Sequence, residues 1–183
     1  MPRFTETETL RRWLEEKQPV TVVDVRTDED RQQWSIPGSV HINAYDALKA
    51  GKPSILSNAE LPPDRPIVTV CNLGKMSERA ADELSRRGLN ALSLAGGMKA
   101  WSLAWNTAEV PISNAFVVQI RRVGKGCLSY LISSGGEALV IDASLPPMFT
   151  VLLPNVSVFV SSMRSTPTFM PTTFPVQSTW QKW

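Results

Sequence analysis

Between residues 5 and 105, short apolar runs alternate with helical patterns, and this alternation constrains the fold more than any other feature. Val20 to Val25 is nearly continuous in apolar character, as a buried parallel strand would be. Ile67 to Val70 and Ala91 to Leu94 read as further strands, and Val40-His41-Ile42 as a brief one. Thr5 is expected to cap a helix whose apolar positions include Leu10, Trp13 and Leu14. Asp28 to Trp34 reads as a helix that stops before Ile36-Pro37-Gly38. Ser77 to Arg87 is predicted helical, with Ala80, Ala81 and Leu84 on one face and Gly88 as its C′ stop. Four prolines between residues 51 and 66 mark a loop. Gly96-Gly97 is expected to permit a tight turn into a last helix, Gly97 to Trp105. Trp101 and Trp105, four apart on it, are expected in the core. The whole pattern predicts an α/β fold, a parallel sheet with helices on both faces.

Ligands in such sheets gather at the carboxyl ends of strands. Cys71 sits at one, in Ile67-Val68-Thr69-Val70-Cys71-Asn72-Leu73-Gly74-Lys75-Met76-Ser77. Open N–H groups at the start of the next helix favour negative charge, and the thiolate is the nucleophilic form of cysteine. The competing reading is a buried cysteine before a turn. Ser77 is the expected N-cap. Arg79, one turn into that helix, faces the loop or the solvent, and the pattern leaves both open. Asp24 and Arg26 flank a strand end and are expected to tie loops together. His41 lies in a strand pattern without nearby ligand types and reads as structural.

The chain has 183 residues, room for one domain and a fragment of another. A net charge of +2 offers no electrostatic case for nucleic acid. Two cysteines cannot form a disulfide framework and suit a reducing compartment. The first residues lack the apolar core of a signal peptide, so a cytoplasmic protein is expected. The single histidine, His41, excludes sites that need two or more. Every Asp and Glu lies at or before Asp142, and after Leu145 the only charges are Arg164 and Lys182. Three parts follow: residues 1–108, 109–144 and 145–183.

Four stretches in the first part resemble the rhodanese (sulfurtransferase) family: Asp24-Val25-Arg26, Ile36-Pro37-Gly38-Ser39, Cys71 to Ser77 with Ala80-Ala81, and Leu94 to Trp101. Their order and spacing agree with the family across about residues 5–105. The resemblance implies a persulfide carrier. Cys71 would take sulfane sulfur from thiosulfate or a persulfide and pass it to a thiol, a protein thiol included, or to cyanide. The amides of Asn72, Leu73, Gly74, Lys75, Met76 and Ser77 would cradle the anion, with Ser77 also touching the bound sulfur. Lys75 would supply positive charge, and Arg79 is a further substrate-binding candidate. No cofactor, metal or membrane is expected. Cys71 to Met76 is six residues, the length the family's sulfurtransferases favour, whereas related phosphatases use a loop one residue longer. A phosphatase or arsenate reductase is therefore the weaker reading. Two departures stand out: Asn72 occupies a place where the family often has arginine, and Trp34-Ser35 precedes Ile36 where many members have Gly-His. Slow turnover, or a non-catalytic persulfide relay, is the alternative they suggest.

Residues 115–120, 127–132 and 137–142 read as strands, with turns at Gly124 to Gly126 and Ser134-Gly135-Gly136. Val123 to Ile132 and Ala138 to Asp142 resemble the opening of metallo-β-lactamase-fold hydrolases of the glyoxalase II and persulfide dioxygenase type. That family then needs a His-x-His-x-Asp-His motif, and no histidine follows His41, so metallo-hydrolase activity is not expected. Residues 145–183 are expected to be irregular or disordered, with Val151 to Val160 too short and too interrupted to span a membrane. The expectation is a truncated fusion with a frameshifted tail, which translating the coding DNA in the other two frames would test. Cys127 is expected to be a small core residue.

Overall fold

A computed structural model describes residues 4–52, 54–135, 137–142 and 157–161. It divides into two compact units, Met1–Ala104 and Trp105–Trp183. The first unit runs β1 (Phe4–Thr5), α1 (Thr7–Glu15), β2 (Thr21–Asp24), α2 (Asp28–Gln33), β3 (Val40–His41), α3 (Tyr45–Lys49), α4 (Ser54–Ser57), β4 (Ile67–Val70), α5 (Lys75–Arg86), β5 (Ala91–Leu94) and α6 (Gly97–Trp101). Its strands form a parallel sheet in the order β1-β5-β4-β2-β3.

Strand alternation sorts the core into two layers. Val22, Val68, Val70 and Leu94 pack with Leu10 of α1 and with Met98 and Trp101 of α6. Val23, Ile67 and Ala91 pack on the opposite face with Leu48 of α3, Leu56 of α4 and Ala80, Ala81 and Leu84 of α5. Cys71 belongs to this second layer, because residues 67, 69 and 71 share one side of the strand direction. Leu84, fully buried, contributes roughly 2 kcal/mol by leaving water. β4 is buried at every position, which is why its sequence is a continuous apolar run rather than an alternating one.

Several local expectations change. Thr5 does not cap α1; it pairs with Leu94 in β1, and the N-cap is Glu6 without a side-chain bond. The open edge of β5 takes precedence, with the Ala95 amide donating to the Thr5 carbonyl at 3.0 Å. α5 begins at Lys75, ahead of the expected N-cap Ser77, because Gly74 turns the chain at φ +100°. Its other end closes on Gly88 (φ +83°), with Gly88 N–H donating to Ser85 O at 2.9 Å and Leu89 N–H to Leu84 O at 3.2 Å. These two bonds are the Schellman pattern. The segment expected as a loop carries the short helix α4. α6 ends at Trp101, which is 2% exposed, so Trp105 is not its partner on the helix.

The second unit is an antiparallel meander of β6 (Asn106–Ile112), β7 (Ala115–Arg122), β8 (Cys127–Ser134) and β9 (Glu137–Ile141), with β10 (Ser157–Ser161) parallel to β9. β6 was not expected from the sequence, and neither was a paired strand in the tail. The other residues of 145–183 lie outside the described ones, as does the expectation of disorder there. Cys127 is exposed, not core. It shares a strand face with buried Ser129 and Leu131, but sits at the first position of β8 beside the turn. No helix among the described residues is long and apolar enough to cross a membrane.

Candidate active site

Cys71 follows the last residue of β4, at the carboxyl edge of the sheet. It is 2% exposed, so the loop encloses it almost completely. Gly74 closes that loop. Its left-handed backbone brings the Gly74 N–H to 3.1 Å from the Cys71 Sγ. The Ser77 hydroxyl lies 3.4 Å from the same sulfur and 2.9 Å from the Gly74 carbonyl. The single proton of the Ser77 hydroxyl is shared between these two acceptors; it and the Gly74 N–H belong to the N-terminal end of α5, whose dipole adds partial positive charge there.

A buried hydroxyl cluster supports this arrangement. Ser93 Oγ, on β5, donates to Ser77 Oγ at 2.9 Å. Thr69 Oγ1, on β4, donates to Ser77 O at 2.7 Å and approaches Leu92 O at 3.1 Å. Thr69, Ser77 and Ser93 are buried, and each hydroxyl has a partner, as burial requires. The strand alternation that sends Cys71 toward α5 sends Thr69 there too.

The opposite wall is the turn before α6. Met98 N–H donates to Cys71 O at 2.8 Å, and Lys99 N–H to Asn72 O at 3.0 Å. Gly97 sits so close that an added Cβ would lie 2.2 Å from Cys71 O and 2.9 Å from Gly74 N. The glycine pair therefore does more than turn the chain: it lets α6 hold the carbonyls of Cys71 and Asn72 while the Gly74 amide faces the sulfur.

The expected site residues fall into distinct places. Gly74 and Ser77 contact the sulfur directly. Asn72 is half-buried and turns its amide to Asp30, Nδ2 to Oδ2 at 2.6 Å. Leu73 is 64% exposed at the loop tip. Lys75 is exposed and forms no ion pair among the described residues. Met76 packs partly into the α5 layer of the core. Arg79 donates to Leu48 O at 3.0 Å, tying α5 to α3, a contact that neither expected setting, the loop or the solvent, included.

Asp24 and Arg26 hold the neighbouring loop. Arg26 donates through Nε to Asp24 Oδ1 at 2.9 Å and through Nη2 to Oδ2 at 2.7 Å. It also donates to Trp34 O at 2.8 Å and Asp30 O at 3.3 Å, which anchors α2. Both side chains are at most 1% exposed. His41 Nε2 is 2.9 Å from Arg26 O, a structural contact. Sequence reasoning missed Asp30, Ser93 and the clamping role of Gly97. Only the glycine pair carried a signal, since it follows a strand ending at the same edge of the sheet.

The chain matches the Rhodanese-like domain family over residues 6–104. It is 34% identical over 77 residues to a tRNA sulfurtransferase of Desulfurococcus amylolyticus, covering 42% of this chain but only 14% of that protein. It is 33% identical over 86 residues to the thiosulfate sulfurtransferase GlpE of Pseudomonas savastanoi pv. phaseolicola, covering 46% of this chain and 74% of the relative. Among solved structures, a rhodanese-like domain protein from Staphylococcus aureus is 31% identical, with a TM-score of 0.44, covering 55% of this chain and 91% of that one. The family match spans more than half of the 183 residues, and it includes the Cys71 loop, the Asp24–Arg26 pair and the Gly96-Gly97 turn. This chain belongs to the rhodanese-like domain family.

Proposed function

We propose that this chain is a sulfurtransferase that carries sulfane sulfur on Cys71. The observation that carries the reading is the Cys71 sulfur at a strand end, with the Gly74 N–H at 3.1 Å and the Ser77 hydroxyl at 3.4 Å aimed at it. Such fixed donors stabilise an anionic sulfur without reorganisation. The sulfurtransferase names of the relatives support the same reading.

In the first half-reaction the Cys71 thiolate attacks the outer sulfur of thiosulfate. A new S–S bond forms, the old one breaks, and sulfite leaves with the electron pair. A persulfide donor reacts in the same way and releases its thiolate. In the second half-reaction an acceptor thiolate or cyanide attacks the terminal sulfur of the Cys71 persulfide. The product is an acceptor persulfide or thiocyanate, and the Cys71 thiolate is restored. The amides from Asn72 to Ser77 hold the anion through both steps, and Lys75 offers positive charge at the rim.

Intact-mass measurement after exposure to thiosulfate or glutathione persulfide tests the proposal. The parent protein is expected to gain one sulfur atom on Cys71, lose it to cyanide, and yield thiocyanate. Cys71→Ser is expected to do none of these. Loading without turnover would favour the relay reading, and hydrolysis of aryl phosphates without loading would replace both.

A further inference from the structure

We propose that Asp30 sets the charge preference of the Cys71 site, disfavouring small anionic sulfur donors such as thiosulfate and favouring persulfides on cationic carriers. This rests on the sulfur-carrying reading of Cys71 and deepens it.

Asp30 lies in the first turn of α2 with Asp28 and Glu29. Its Oδ2 accepts a hydrogen bond at 2.6 Å from Asn72, the residue directly after the nucleophile. The carboxylate is therefore one side chain away from the reacting loop. Its backbone is fixed there from two sides: Asp30 N–H donates to Thr27 Oγ1 at 3.3 Å, and buried Arg26 donates to Asp30 O at 3.3 Å. No ion pair neutralises Asp30 among the described residues, and Asn72 is a neutral donor. Asp28 adds a second carboxylate on the same turn, 3.5 Å from His41 Nδ1 and bonded to Asn43. Against them stand two exposed lysines, Lys75 in the loop and Lys99, whose amide donates to Asn72 O at 3.0 Å. A dianionic donor approaching Cys71 thus meets a negative charge held against the loop by Asn72, beside lysines that are exposed to solvent. Within a Debye length, removing that fixed charge is expected to change the approach of an anion by about three- to tenfold.

Asp30→Asn is the clean probe, because an amide oxygen still accepts from Asn72 while the charge is gone. Two readouts are taken on the full-length protein at low and high salt. The first is persulfide formation on Cys71 with thiosulfate and with cysteamine persulfide. The second is alkylation of Cys71 by iodoacetate and by iodoacetamide, separated from Cys127 by peptide mass spectrometry. The thiosulfate-to-cysteamine persulfide rate ratio and the iodoacetate-to-iodoacetamide ratio are both expected to rise about three- to tenfold in Asp30→Asn at low salt, and to converge on the parent at high salt. Ratios unchanged in the variant would overturn the inference, because a merely structural Asp30 moves all reagents alike. If neither donor loads the parent, the sulfur-carrying reading fails. The alkylation ratio still reports the charge effect in that case, so the two failures are distinguishable.

Discussion

Gly97 packs its backbone against the carbonyl of Cys71, so closely that a methyl group there would stand 2.2 Å from that oxygen. The same oxygen accepts the Met98 amide at 2.8 Å. The last helix of the first unit is therefore tied to the cysteine loop through backbone, and the Gly74 amide facing the sulfur is held from behind.

Gly97→Ala is expected to cost about 2–4 kcal/mol, since it adds a backbone clash to a left-handed conformation. Sulfur loading of Cys71 is expected to fall tenfold or more, because the loop must move to admit the methyl group, an effect on the order that misplacement by an ångström produces. Gly88→Ala is the control. Its φ is +83° but nothing lies within 4 Å of the added Cβ, so a cost of about 1 kcal/mol and unchanged loading are expected. Urea denaturation and intact mass read the two effects. Equal costs for the two variants would show that the Cys71 carbonyl does not depend on close approach at Gly97.

Among the described residues Ser93 reaches the sulfur through Ser77, and this ordering can be tested. Ser77→Ala removes the hydroxyl donor to Sγ and is expected to slow iodoacetamide alkylation of Cys71 at pH 7 by roughly tenfold, the scale of one hydrogen bond to a charged group. Ser93→Ala leaves Ser77 in place without its buried donor, so a slowing of about two- to threefold is expected. The double variant is expected to match Ser77→Ala alone in reactivity. Multiplying effects would mean that Ser93 acts on Cys71 by another route.

What could be read from the sequence divides by range. β4 and the closure of α5 at Gly88 are local matters of apolar runs and one left-handed residue, and both were legible. So was the Cys71 loop, since a strand, a short turn and a helix are contiguous there. Thr5 and Ser77 were misread as caps because the competing demands come from distant residues: the open edge of β5 for Thr5, and the turn at Gly74 for the start of α5. Asp30 lies 42 positions from its partner Asn72, and Ser93 lies 16 from Ser77. No periodicity joins such pairs; only the order of strands in the sheet does. Cys127 was expected in the core because it lies in a strand, but it is exposed at the first position of β8, and strand membership does not say where a strand's cover ends.

Helix α1 is expected to carry a small acid-sensitive contribution. Arg11 donates to Glu8 and pairs with Glu15 on the helix surface. The hydrogen bond from Arg11 holds the Glu8 carboxyl below its ordinary value, against a weaker opposing effect of burial. A carboxyl lowered on folding stabilises the fold above its unfolded value, and that stability is lost as pH falls through the folded one. Glu8 is 72% exposed, so solvent screening limits the effect to about 0.5 kcal/mol or less. Glu8→Gln is expected to flatten the fall in stability on the acid side of the ordinary carboxylate range. High salt is expected to do the same to the parent. A Glu8→Gln stability curve parallel to the parent through that range would remove the pair from the account.

The pair Asp24–Arg26 is expected to behave in the opposite way, with large single effects and strong coupling. Both side chains are at most 1% exposed, and two hydrogen bonds join them. Asp24→Asn leaves a buried guanidinium without its counter-charge, and Arg26→Met leaves a buried carboxylate; each is expected to cost about 3–5 kcal/mol. The carboxylate keeps partial compensation from Arg31 at 3.4 Å, so Arg26→Met falls at the lower end on charge alone. It also frees the carbonyls of Asp30 and Trp34, which loosens α2 and raises its cost again. The double variant Asp24→Asn/Arg26→Met strands neither charge. It is expected to be more stable than the sum of the single losses by about 2 kcal/mol, measured by urea denaturation of all four proteins. It should nonetheless fall short of the parent, because nothing replaces the bonds from Arg26 to α2. Its iodoacetate-to-iodoacetamide ratio at Cys71 is expected to move toward that of Asp30→Asn, since Asp30 is held beside Asn72 by the same backbone. Additive losses would mean that the buried charges are stabilised independently, by their other partners rather than by each other.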